Sequence, residues 1–287
     1  MDQTLAMHTA ARRFCSDQFA HWADEYTRLD HAGKTRADGA PGEYSEQAYR
    51  LFPRYRLDDA IQTEIERSTG QGFQSVGEVR RSLLNAGRLA LSELIQQFQR
   101  SPVAVAALND ELKSFENYIE NLESDELGRV GALPYRRVLQ DSEGKHLWEK
   151  LDTTWSTAGH YWYPLSECDP SINVIAFHSE LWQARGGTSI LLDALREHGV
   201  ERCFTLGEGS THYEVDLSLV DPIYGGLEVF VTSDFKWLLY VSHESSITVA
   251  GWLADFFRAY WPDWERITYG GPFHTGDLRG SWGDLKR

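Results

Sequence analysis

His212, Glu214 and Asp216 stand at alternate positions of the segment Thr211 to Leu219, with Tyr213, Val215 and Leu217 interleaved. Successive side chains of a β-strand point to opposite faces, so this spacing predicts one apolar face and one face carrying an imidazole beside two carboxylates. Glu228 joins the set if the following strand pairs with this one. Three chemistries suit such a group: holding a cation, exchanging protons as an acid/base cluster, or receiving a basic protein surface. A solvated face on a half-buried antiparallel strand accounts for the same residues with no site at all. One strand supplies only part of a coordination sphere. The sequence therefore assigns no catalytic residue, no metal ligand and no cofactor.

A second feature is the stretch Trp237 to Gly251, W-L-L-Y-V-S-H-E-S-S-I-T-V-A-G. Trp237, Leu239 and Val241 face one way, Leu238 and Tyr240 the other, so it reads as a central strand. Ser242, His243 and Glu244 follow where that strand runs into a turn. His243 there could titrate or ligate, with Glu244 nearby, or simply satisfy turn backbone. As neighbours in a strand, the two would point apart and not serve one atom. Trp162, in the irregular run Trp162-Tyr163-Pro164, is the best placed tryptophan for an exposed anchor or stacking platform.

Familiar motifs fail. His31-Ala-Gly33-Lys34-Thr35 ends like a P-loop but has Arg28 where the first glycine belongs. Gly207-Glu208-Gly209 lacks a third glycine and reads as a hairpin turn. His178-Ser179-Glu180 is a bare H-x-E, and H-E-x-x-H, C-x-x-C and G-x-S-x-G are absent from the sequence.

The Trp237 to Gly251 stretch is preceded by Glu228-Val-Phe-Val-Thr232 and followed by an aromatic helix. In this respect the chain resembles small bacterial proteins of the immunity type over about residues 190 to 268. That resemblance implies a non-enzymatic protein that neutralises a cognate toxin by binding it, with no catalytic residues to carry over.

The elements that would position these groups follow from periodicity. Cys15, Phe19, Trp22, Tyr26 and Leu29 make one helical stripe, and Leu57, Ile61 and Ile65 mark a shorter helix. Ser75 with Glu78 forms a capping box, and Ser101 with Pro102 opens a helix carrying Leu108, Leu112, Phe115, Ile119 and Leu122. A bundle of three or four helices over residues 1–128 results. Beyond it come a helix from Gly187 to His198 and strands over Val200 to Leu206, Thr211 to Leu219, Leu227 to Thr232 and Trp237 to Ser242. Ile247 to Val249 adds a fifth strand before a helix that Pro262 stops. The fold class is thus α+β, an N-terminal helical bundle followed by an antiparallel-sheet sandwich over residues 129–268, with a Gly-rich tail at 269–287.

The 287 residues carry 43 Asp and Glu against 28 Lys and Arg, a net charge of -15. Residues 101 to 250 hold 24 acidic and 10 basic side chains, so almost all the excess lies there. It covers the sheet and what reads as the outer face of the last bundle helix, including Asp110, Glu111, Glu120, Glu123 and Asp125. Such a chain lacks the basic runs of a nucleic-acid binder and favours a basic protein partner. Three scattered cysteines, no signal-like N-terminus and no long apolar run predict reduced thiols, cytoplasmic residence and no membrane contact. The leading expectation is capture of a basic partner such as a toxin through the acidic sheet face and the acidic face of the fourth helix. The alternative is a metal- or acid/base-dependent hydrolase using the His/Glu/Asp cluster.

Overall fold

The computed structural model describes residues 2–33, 45–69, 72–157, 161–207, 211–222 and 229–269. It divides into two units, Met1–Leu133 and Pro134–Arg287. The first contains α1 (Gln3–Gly33), α2 (Glu46–Arg67), α3 (Val76–Phe98), α4 (Pro102–Asn121) and the single turn α5 (Ser124–Leu127). Helix starts fall where capping chemistry places them. Ser75 Oγ accepts the Glu78 N–H at 3.2 Å, and Ser101 Oγ accepts the Ala104 N–H at 3.3 Å with Pro102 in the first turn. The periodic apolar positions meet in one core of Cys15, Ile61, Leu83, Leu108 and Phe115, among others. Each such side chain contributes about 1.5–3 kcal/mol by leaving water. At Gly87 a Cβ would sit 2.8 Å from Leu112 Cδ1 and 3.1 Å from the Phe115 ring, so a larger residue there would have to push these α4 side chains aside. Farther along α1, Phe19 and Tyr26 pack edge-on against Tyr55 of α2.

The second unit runs β1 (Arg136–Val138), α6 (Asp141–Trp155), β2 (Val174–His178), α7 (Ser179–Ala184), α8 (Gly187–Glu197), β3 (Arg202–Gly207) and β4 (Tyr213–Asp216), then β5 (Val229–Thr232), β6 (Trp237–Val241), β7 (Ser246–Gly251) and α9 (Trp252–Tyr260). Among the described residues these strands form one seven-stranded sheet, ordered β1-β4-β3-β5-β6-β7-β2 with every neighbour antiparallel. The chain is therefore an α+β protein, with two edge strands, β1 and β2, that strand periodicity did not signal.

Two features depart from the sequence expectation. β4 does not pair with β5, because β3 lies between them. The strand stops at Asp216, whose carboxylate accepts the Ser218 N–H at 2.8 Å and turns Leu217–Leu219 into a short 3-10 helix. The sheet is also covered on both faces, giving three layers, whereas the Thr211 to Leu219 strand was expected to turn one face to water. Trp237, Leu239 and Val241 join Trp182, Leu195 and Phe257 from α7, α8 and α9. Leu238 and Tyr240 join Leu151, Trp155 and Trp162 on the α6 side. A strand apolar on both sides, as β6 is, requires this second cover.

At the sheet edges, β1 is three residues long and carries two arginines. The outer side of β2 is bridged at Phe177 by Thr268, and the Tyr269 N–H donates to the Ala176 carbonyl at 2.8 Å. No helix among the described residues is long and apolar enough to cross a membrane. The tail from Gly270 onward, Glu208 and Gly209 of the predicted hairpin turn and the Lys34–Thr35 end of the P-loop-like run lie outside the described residues.

Candidate functional site

The carboxylate of Glu214 does not stand open on a wet face. Arg137 lies directly across from it on β1 and donates from Nε at 3.1 Å, Tyr135 donates its hydroxyl at 3.2 Å, and Arg202 approaches at 3.7 Å. Arg137 also grips Glu143 of α6 at 2.9 Å. That guanidinium, with the Gln140 N–H, holds the Glu143 carboxyl below its ordinary range, while burial and Glu214 push the Tyr135 phenol up. The negative charge of Glu214 is neutralised inside the fold. Asp216 is occupied by the hydroxyl and N–H of Ser218, which lower its pKa.

His212 is held differently. Its Nε2 accepts the Trp148 indole N–H at 2.9 Å, so the ring proton sits on Nδ1, a buried atom with no partner. Burial lowers the pKa of this imidazole against a weaker pull from Asp141. The ring lies against α6 at Gly144, where a Cβ would come within 2.5 Å of His212 Cδ2. His212, Glu214 and Asp216 thus each have separate partners. Among the described residues no group of three His, Cys, Asp or Glu side chains gathers to hold a metal ion. Glu228 lies outside the described residues; the strand that follows it, β5, pairs with β3 and β6 and not with β4.

The turn after β6 corrects a second expectation. Residues 243 and 244 are not in strand geometry, and His243 Nε2 lies 3.2 Å from Glu244 Oε1. Ser245, at φ 61°, closes the turn in the left-handed region. Tyr161, 48% exposed, places its ring 5.3 Å from that of His243. His178 stacks on Tyr269 at 6.3 Å and accepts the Glu180 N–H on Nδ1 at 3.3 Å, so the bare H-x-E is a helix cap. Trp162, expected as an exposed anchor, is wholly buried. Its indole N–H donates to the Trp155 carbonyl at 3.0 Å and its ring packs edge-on against Trp155 and Tyr240. The irregular backbone around it misled, because the cover that buries it comes from α6 and the sheet. A stacking site centred on Trp162 is removed. Burial pushes the Cys203 thiol up to about 12, which leaves it a poor nucleophile.

The carboxyl furthest from its ordinary pKa lies inside the helical unit, away from the acidic outer face expected on the fourth helix. Glu111, assigned by sequence to an outer face, is 1% exposed and accepts from Arg54 at 2.8 Å. Asp58 is wholly buried, and neither carboxyl oxygen has a hydrogen-bond partner. Burial first, then Glu111, pushes its pKa up to about 9. His8 is depressed to about 4 by burial. The signal for Asp58 was in the stripe itself, since it stands three and seven residues before Ile61 and Ile65. Exposed charge gathers instead at the end of α4, where Glu120, Glu123 and Asp125 rim an open depression beside Arg80, which donates to the Leu122 carbonyl at 2.9 Å. Comparison with family models, with curated proteins and with solved structures gave no match to this chain.

Proposed function

We propose that the chain is a non-enzymatic protein that captures a basic protein partner through Glu120, Glu123 and Asp125 at the end of α4. The observation that carries this reading is the distribution of free charge. These three carboxylates are exposed and ion-pair with no described residue, whereas Glu214, on the sheet face first expected to bind, is held by its own arginines. Unpaired surface charge of one sign steers an oppositely charged protein and raises its association rate. The resemblance of residues 190 to 268 to immunity-type proteins supplies the class of partner, a basic toxin that binding would block. A hydrolase built on His212, Glu214 and Asp216 is the weaker reading, since each already has its own protein partners.

The test is a pulldown at low salt followed by association kinetics with the retained protein. The wild type is expected to retain a basic protein whose on-rate falls steeply with salt. E120K/E123K/D125K should slow association about tenfold or more without unfolding. Equal on-rates for both chains overturn the reading.

A further inference from the structure

We propose that a cavity on the α7–α9 side of the sheet binds a small primary amine with a compact apolar body. The cavity, about 250 Å³, opens between the Leu219–Pro222 segment and the faces of β3 to β6. Val231, Leu239 and Val241 form a buried floor. Four residues with polar side chains, Thr205, Thr211, Tyr213 and Asp221, also line the cavity. None of these four polar groups makes a hydrogen bond or ion pair with another described residue, although Arg136 stacks its guanidinium 4.3 Å over the Tyr213 ring and fixes it.

Polar groups left without protein partners around an apolar hollow are the arrangement that orients a small ligand. Their chemistry selects its class. Among the described residues of the lining Asp221 is the only formal charge, and it is exposed, so it marks the mouth as the place for a cation. The dry floor of β-branched and leucine side chains takes an alkyl or aryl body, and the hydroxyls between them accept the remaining ammonium hydrogens. The volume lies below the usual range for drug-sized ligands, about 300–1,000 Å³, which limits the occupant to a handful of carbons. A carboxylic acid of the same shape would meet Asp221 as a like charge.

This site lies in the other unit from the α4 carboxylates, and its test needs no protein partner. The full chain, labelled with ¹³C on valine and leucine methyls, is titrated separately with n-pentylamine, 1-pentanol and pentanoate. Saturable shifts at Val231, Leu239 and Val241 with pentylamine, and at least tenfold weaker binding by Asp221→Asn, are expected. Val229→Phe, which fills the cavity, should abolish binding. No saturable shift with pentylamine overturns the site. Equal binding of pentanol, or unchanged affinity in Asp221→Asn, overturns the assignment of the ligand as an amine.

Discussion

Two buried acidic groups, one in each unit, are treated in opposite ways. In the sheet unit, Glu214 meets two guanidinium groups and a phenol, and Arg137 also keeps Glu143 acidic. In the helical unit, Asp58 meets no hydrogen-bond donor and keeps its proton up to about pH 9. One solution retains charge and supplies partners; the other gives up charge and supplies no hydrogen-bond partner. The contrast teaches that an acidic sequence need not make an acidic surface. Residues counted as one excess divide into a clamped set, a protonated set and a free set, and the free set alone can steer a partner.

The largest test of this contrast is Arg54→Met. It leaves Glu111, 1% exposed, without its cation, and should cost about 3–5 kcal/mol in urea unfolding. The double variant with Glu111→Gln should recover most of that loss. Asp58→Leu should act in the opposite direction, stabilising by about 1–3 kcal/mol at pH 8, because it removes a desolvated carboxyl with no partner. The pH dependence has a definite sign. Folding raises Asp58 from 3.8 to about 9, so the folded chain holds a proton that the unfolded chain releases. Its contribution is greatest below pH 4 and is lost as pH rises through about 9. Asp58→Leu should flatten that decline between pH 5 and pH 9; an unchanged slope would show that Asp58 is not the group responsible.

Arg137→Met comes next. Arg137 and Glu214 are about four-fifths buried, and Arg202 remains to the carboxylate, so the expected cost is about 1–2 kcal/mol. A loss as large as that of Arg54→Met would erase the distinction between shared and single clamps. The smallest effect belongs to the free set. E120K/E123K/D125K should change unfolding free energy by no more than about 1 kcal/mol, since Glu120 and Asp125 are exposed and make no ion pair with a described residue and Glu123 contributes only the capping box of the single turn α5. A larger loss would place them among the structural acids.

Local chemistry was legible where it depended on nearby residues. Ser75, Ser101 and Pro102 start helices because their partners are three residues away or within the first turn. β6 was legible because five residues apolar on alternating sides leave no other assignment. α6 was not, since Asp141–Trp155 mixes charge, Gly144 and two threonines, and its apolar members Leu151 and Trp155 make sense only against the sheet. β1 escaped because three residues with two arginines have no periodicity to read. The candidate site fared worst for the same reason. The alternation of His212, Glu214 and Asp216 was visible, but the arginines that clamp Glu214 come from β1 and β3, and the indole that holds His212 comes from α6.

The edges of the sheet bear on how safely this protein can be shortened. Seven antiparallel strands with an apolar centre are a template for further strands unless both margins are blunted. Two arginines do this at β1, and Thr268 with Tyr269 does it at β2. Proteolysis just before Ile267 would strip that cover while leaving the sheet otherwise whole, exposing a row of backbone donors and acceptors beside Ile175 and Phe177. The clipped chain would then be a seed for edge-to-edge aggregation.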